Sequence, residues 1–209
     1  DTYMETFPAW SPNGKDLYFT RAQGYQKGMP LDSIRYDLCK VSFDSSTEKL
    51  GAPEVLFQAS AQSKSVSFPC ISPHGKYLMF TLSDYGNFSI WHPESELYLM
   101  NLNSNEIRPL VEVNSDDVDS YHTWSSNGHW FVFSSKRMDG LWARPYFASF
   151  NPETGETGKP FLLPQKDPLF YDNYTYTYNR PELIKEPVKN GKEFERMIFQ
   201  KAVQAVGKP

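Results

Sequence analysis

One fourteen-residue pattern occurs three times in this chain, and it limits the possible folds more than any other feature. The first copy is Phe7-Pro8-Ala9-Trp10-Ser11-Pro12-Asn13-Gly14-Lys15-Asp16-Leu17-Tyr18-Phe19-Thr20. The second is Phe68-Pro69-Cys70-Ile71-Ser72-Pro73-His74-Gly75-Lys76-Tyr77-Leu78-Met79-Phe80-Thr81. The third is Tyr121-His122-Thr123-Trp124-Ser125-Ser126-Asn127-Gly128-His129-Trp130-Phe131-Val132-Phe133-Ser134. The equivalent serines, Ser11, Ser72 and Ser125, lie 61 and 53 residues apart. Each copy reads as a β-hairpin. An apolar strand ends at Ser, a Pro presets φ for the turn, and Gly supplies the left-handed residue that a bulged hairpin needs. The strand that leaves is apolar on both faces, as required of a sheet with neighbours on both sides.

Each copy continues alike. A third strand is expected at Asp37–Asp44, Glu96–Leu102 and Arg144–Asn151. A fourth is expected to begin at a proline each time, at Pro53–Phe57, Pro109–Val111 and Pro160–Leu163. Four strands per repeat make the blade of a β-propeller. The 13 Tyr, 15 Phe and 5 Trp suit strands, and 16 Pro with 12 Gly suit many turns. The fold class is therefore all-β, a β-propeller with three four-stranded blades and a short C-terminal helix. Blades are expected over about 1–60, 61–114 and 115–168. A terminal strand follows up to 178, where Tyr174, Tyr176 and Tyr178 would share one face. Residues 179–209 form a connector and an amphipathic helix over Phe194–Val206, with Phe194, Ile198 and Ala202 on the stripe that docks on the blades. Three blades leave a ring open. The nearness of the first motif to Asp1 leads us to expect further blades upstream in a larger ring. The alternative is self-association through the open ends.

The Trp10-Ser11-Pro12-Asn13-Gly14-Lys15 run, with Phe19 beyond it, resembles the Ser-Pro-Asp-Gly-Lys repeat of TolB-like, WD40-like propellers. Asn13, His74 and Asn127 stand where that family has Asp, and Ser126 replaces the motif Pro in the third copy. The run Asp139-Gly140-Leu141-Trp142-Ala143-Arg144-Pro145-Tyr146, followed by Lys159–Gln165, is similar to the end of secreted Bacteroidetes-type members. The resemblance implies a periplasmic or cell-envelope setting. It also implies a module that binds other proteins, since no catalytic signature accompanies the repeat.

Net charge is −4, with no basic excess, which excludes a nucleic-acid grip. No apolar run approaches the ~20 residues of a membrane span. Gly-x-Ser-x-Gly, P-loop, Gly-x-Gly-x-x-Gly and His-Glu-x-x-His signatures are missing, so no catalytic residue, cofactor or metal is assigned. Asp116, Asp117 and Asp119 lack the spacing of a calcium loop. Cys39 and Cys70 read as two buried thiols.

Propeller geometry puts the Ser-Pro-x-Gly turns on one face and the longer loops on the other. Long loops on a rigid scaffold carry function, and aromatic and Arg side chains are the usual anchors. The candidate contacts are Tyr25, Tyr36, Tyr85, Trp91, His92, Arg137 and Trp142, centred on Tyr85, Trp91, His92 and Arg137. The expected partner is a protein. A glycan bound or degraded on the same face, or an accessory propeller of a larger hydrolase, are the alternatives.

Overall fold

The computed structural model describes residues 2–187 and 191–200. Three antiparallel sheets follow one another along the chain. The first contains β1 (Tyr3–Trp10), β2 (Asp16–Gln23) and β3 (Asp37–Asp44). Its fourth strand is split into β4 (Lys49–Leu50) and β5 (Glu54–Phe57), both paired with β3. The second sheet contains β6 (Ser65–Ile71), β7 (Tyr77–Ser83), β8 (Glu96–Asn101) and β9 (Ile107–Pro109). The third contains β10 (Asp119–Trp124), β11 (Trp130–Ser135), β12 (Arg144–Ser149) and β13 (Phe161–Leu162). In the second sheet Pro109 closes the fourth strand instead of opening it: Ile107 and Arg108 supply the pairing, and Leu110 turns into the core. Proline has no N–H for a ladder, so a strand end suits it.

The repeated turns are superimposable in chemistry. Gly14, Gly75 and Gly128 have φ of 69°, 71° and 67°. Each donates its N–H to the carbonyl of the preceding motif serine at 2.9, 2.8 and 2.9 Å. The serine hydroxyl accepts the N–H that opens the next strand: Asp16 on Ser11 at 2.9 Å, Tyr77 on Ser72 at 3.1 Å, and Trp130 on Ser125 at 3.0 Å. The serines recur because they close this bend. Asn13 and Asn127 accept the serine O–H at 2.7 Å, which ties the first residue of the bend to its third.

A second repeated device sits in the first strand of each sheet. The ladder skips a residue between Thr6 and Ala9, between Ser67 and Cys70, and between Ser120 and Thr123. At each bulge an aromatic residue, Phe7, Phe68 or Tyr121, holds φ at 54°. A left-handed aromatic is unfavourable in isolation. Here the three rings pack in order, Phe7 tilted against Phe68 with centroids 4.3 Å apart and Phe68 edge-to-face with Tyr121 at 5.0 Å. This ladder joins the first strands of the three sheets.

Two cores bind the sheets face to face. Tyr18 and Leu38 of the first sheet meet Val66, Leu78, Phe80, Leu82 and Met100 of the second. Tyr77, Met79, Leu97 and Leu99 of the second meet Phe131, Phe133, Tyr146, Ala148 and Phe150 of the third. Every residue of β7 is buried, as its position between two sheets demands. Cys39 and Cys70 are separate free thiols, and burial raises the pKa of both.

His122 follows Tyr121 in the third bulge and is fully buried, with Nε2–H donating to the Met79 carbonyl at 3.1 Å. Burial holds its pKa down to about 3. Between about pH 6.5 and 3 the unfolded chain binds a proton at this ring and the folded chain does not. Its contribution is therefore intact above pH 6.5 and lost on acidification, with a slope approaching about 1.4 kcal/mol per pH unit. Urea denaturation between pH 7 and pH 4.5 is expected to show a smaller acid loss in His122→Gln than in the original chain. Parallel curves would refute this assignment.

Beyond β13 the chain departs from expectation. In place of a terminal strand it forms one helical turn, α1 (Phe170–Asn173), and then an unpaired run laid across the third sheet. Tyr178 N–H donates to Ala143 O at 2.9 Å, Asn179 O accepts from Ser134 Oγ at 3.1 Å, and Pro181 O accepts from Thr123 Oγ1 at 2.8 Å. The run crosses the sheet's face, not its edge, so no ladder can form. Tyr174 stacks on Phe170 at 4.9 Å and lies 5.3 Å from Tyr178. The tyrosines thus gather around the helical turn and not along one strand face. A final helix, α2 (Gly191–Ile198), begins and ends earlier than the expected Phe194–Val206. Met197 and Ile198 are exposed, so this end of the helix presents its apolar side chains instead of docking them. Ala202 and the rest of that expectation lie outside the described residues.

Candidate binding face

The connections between second and third strands, and those between sheets, emerge opposite the serine turns. Between the second and third sheets three of them lock together. Ser89 Oγ bonds Ser120 Oγ at 2.7 Å, and Ser120 Oγ bonds Thr81 Oγ1 at 3.0 Å. Ile90, Val118 and Ala143 form a small core beneath the loops. Asp119, with no exposed surface, accepts from Arg137 Nη2 at 2.6 Å, and the same nitrogen donates to Val113 O at 2.7 Å. Arg137 Nε donates to Ser135 Oγ at 2.8 Å, and its guanidinium lies 4.7 Å from the Tyr146 ring. Burial pushes the Asp119 carboxyl above its usual range, and the Arg137 charge opposes that rise. Arg137 therefore looks inward. The sequence marks it as a partner contact; the geometry makes it the brace of the loop face.

The other candidates divide. Tyr36 is buried: its N–H donates to Ser65 Oγ at 3.0 Å, and its ring lies so near Gly86 that a Cβ there would fall 2.5 Å away. It joins the first two sheets and presents little surface to solvent. His92 is also buried, its ring tilted against that of half-buried Tyr85 at 4.1 Å, with Nδ1 3.4 Å from Glu94. Trp142 is half-buried, and its N–H donates to Asp139 Oδ1 at 2.9 Å. Tyr25 is exposed on the first sheet's loop. Trp91 is the candidate that stands out to solvent, at 65% exposure.

Trp91 brings with it residues that sequence reasoning left outside the site. The ammonium of Lys136 lies 3.8 Å from the Trp91 ring centroid, a cation–π contact. Lys136 is 5% exposed, and burial lowers its pKa against the pull of Asp117 and Asp139. Phe88, held at φ 49° just before the helical turn Ser89–Trp91, is 72% exposed. Met138 and Leu141 are exposed on the adjoining loop of the third sheet. These loops thus expose two aromatic and two aliphatic side chains, joined by the Lys136–Trp91 contact. Asp119 is committed to Arg137 and Asp139 to Arg144 at 2.6 Å. Among the described residues no group of three His, Cys, Asp or Glu side chains converges as a metal site, and no helix is long and apolar enough to cross a membrane.

No family model matches this chain, and no curated protein matches it. Solved structures do. An oligogalacturonate lyase in complex with manganese aligns over 79% of this chain and 43% of its own, at 13% identity and a TM-score of 0.54. A puromycin hydrolase aligns over 75% of this chain and 23% of its own, at 15% identity and a TM-score of 0.51. The fold is a β-propeller. Its three sheets are successive blades, with β1, β6 and β10 as their first strands. TolB from Acinetobacter baumannii aligns at 21% identity and a TM-score of 0.44 over 75% of this chain and 32% of its own. The chain thus spans less than half of each of these proteins, and the likeness concerns the propeller fold and not a shared activity.

Proposed function

We propose that this chain is a non-catalytic binding module whose loop face receives a protein partner. The observation that carries this reading is the exposed pair Trp91 and Phe88 on a loop held in place by the Ser89–Ser120 hydrogen bond and by Ile90 packed on Val118 and Ala143. Large aromatics on pre-organised backbone give contact area at little entropic cost, which is why interface hot spots favour them. The repeat's resemblance to TolB-like propellers supports placing the module in a bacterial envelope.

The test is capture of a partner from a cross-linked envelope extract, repeated with Phe88→Ala and Trp91→Ala combined. Both side chains are exposed, so the fold should survive, as circular dichroism would check. Loss of the captured protein by about 30-fold or more is expected for a hot-spot pair. Undiminished capture of the same protein would discard the face. An exposed indole also suits stacking on a sugar ring, so the same variants belong in a polysaccharide-binding panel. Retention of a glycan by the original chain, lost with Trp91→Ala, would move the assignment from protein to glycan.

A further inference from the structure

The junction between the first and second blades lacks a ring that the next junction has. The fifth residue after each motif serine donates its N–H to that serine's hydroxyl, and these residues are Asp16, Tyr77 and Trp130. Tyr77 of the second blade packs against the β12–β13 turn of the third. Its ring centroid lies 5.4 Å from that of Phe150, and a Cβ on Gly155 of that turn would fall 3.0 Å from the ring. The second blade has the same turn between β8 and β9: Asn101 N–H donates to Glu106 O at 2.9 Å, as Asn151 N–H does to Glu156 O at 2.9 Å. Here the residue on the first blade's side is Asp16, and its carboxylate cannot fill the space that a phenol ring fills. A pocket of about 220 Å³ remains, lined by Asp16, by Pro12 and Pro73, and by Ile71 and Leu102 from the apolar core.

The pocket holds one charge without a partner. Among the described residues no hydrogen bond or ion pair reaches the half-buried Asp16 carboxylate. Lys40, across the ladder from Tyr18, is paired with Glu54 at 3.4 Å. His74, at the same pocket, is turned to the third blade, its Nε2–H donating to Asn127 O at 3.1 Å. Buried Tyr18 also lines the pocket; burial raises its pKa, and the Asp16 charge raises it further. Its neutral phenol oxygen can accept a hydrogen bond beside the carboxylate. An unpaired carboxylate next to aliphatic surface matches a cation carried on an alkyl chain, whose stem covers the apolar lining while its head meets the charge. The volume falls below the ~300–1,000 Å³ of clefts for drug-sized ligands, so it suits one side chain or one small amine.

We propose that this pocket binds an alkyl ammonium or alkyl guanidinium group, its stem on Ile71 and Leu102 and its charge on Asp16. The pocket lies on the serine-turn face, and the proposal is independent of what binds the loop face. The test is an NMR titration of the intact chain with n-butylguanidinium, with n-butanol as the uncharged control. Shifts should gather on Asp16, Tyr18, Ile71 and Leu102, and n-butanol should bind at least about tenfold more weakly. Asp16→Asn, which keeps the backbone bond to Ser11, should weaken n-butylguanidinium binding by about tenfold. Asp16→Tyr should abolish it, by giving this junction the ring that Tyr77 gives the next. Unchanged signals away from the pocket check that both variants fold. A glycine–arginine–glycine peptide that displaces the probe would mark a partner protein's side chain as the source of the cation; a probe that binds while the peptide does not would mark a free small cation. Equal binding of n-butanol, undiminished binding by Asp16→Asn, or no shifts at the pocket with millimolar probe would overturn the proposal.

Discussion

Replacing Arg137 with Met is expected to cost the fold about 3–5 kcal/mol, although the residue stands on a loop and its side chain is partly accessible. The expense lies with its partner. Asp119 has no exposed surface and would keep a carboxylate under Val118 and Ser120 without the guanidinium that compensates its burial. The Val113 carbonyl would lose a donor as well. Adding Asp119→Asn to the same chain should recover most of the loss, because a neutral amide needs no counter-charge and Ser115 can still donate to its oxygen. Urea denaturation of the single and double variants checks this. A stable Arg137→Met protein that fails to bind a partner would instead return Arg137 to the contact surface.

The second large effect distinguishes equivalent phenylalanines by their blade. Phe80 is fully buried between the first and second blades, and Phe133 between the second and third. Truncation of either to Ala should cost about 3–5 kcal/mol, combining lost transfer energy with a cavity the rigid sheets cannot collapse. Phe19 occupies the same register position in the first blade, where no blade lies against it. Phe19→Ala should cost less than either. Equal losses at all three sites would mean that Phe19 is enclosed as fully as its counterparts within a single copy.

The blades are legible in the sequence because their determinants are local. A serine, a glycine and the residues between them specify the bend whatever surrounds it, so Ser11–Gly14, Ser72–Gly75 and Ser125–Gly128 announce three hairpins. The bulges at Phe7, Phe68 and Tyr121 are not announced. An aromatic residue argues for an extended backbone, and what opposes that preference is the packing of rings from strands far apart in sequence. The same distinction runs through the candidate site. Trp91 is found from residue type and loop length, and Phe88, three residues before it on the same loop, is not among the sequence candidates. The inward turn of Arg137 depends on Asp119, a partner on another strand, and the burial of Tyr36 and His92 depends on neighbouring loops. The tail misleads because alternating Tyr and polar residues fit a strand, while the surface it meets is a sheet face without free edge groups.

Everything rests on three blades following one another in chain order about one axis, and ring contacts between Phe7, Phe68 and Tyr121 report this most directly. Proton cross-relaxation between these side chains should give contacts from Phe7 to Phe68 and from Phe68 to Tyr121, whose centroids lie 4.3 and 5.0 Å apart, with Phe68 always between the other two. Contacts between Phe7 and Tyr121 that bypass Phe68, or an absence of both expected pairs in the folded protein, would contradict the arrangement.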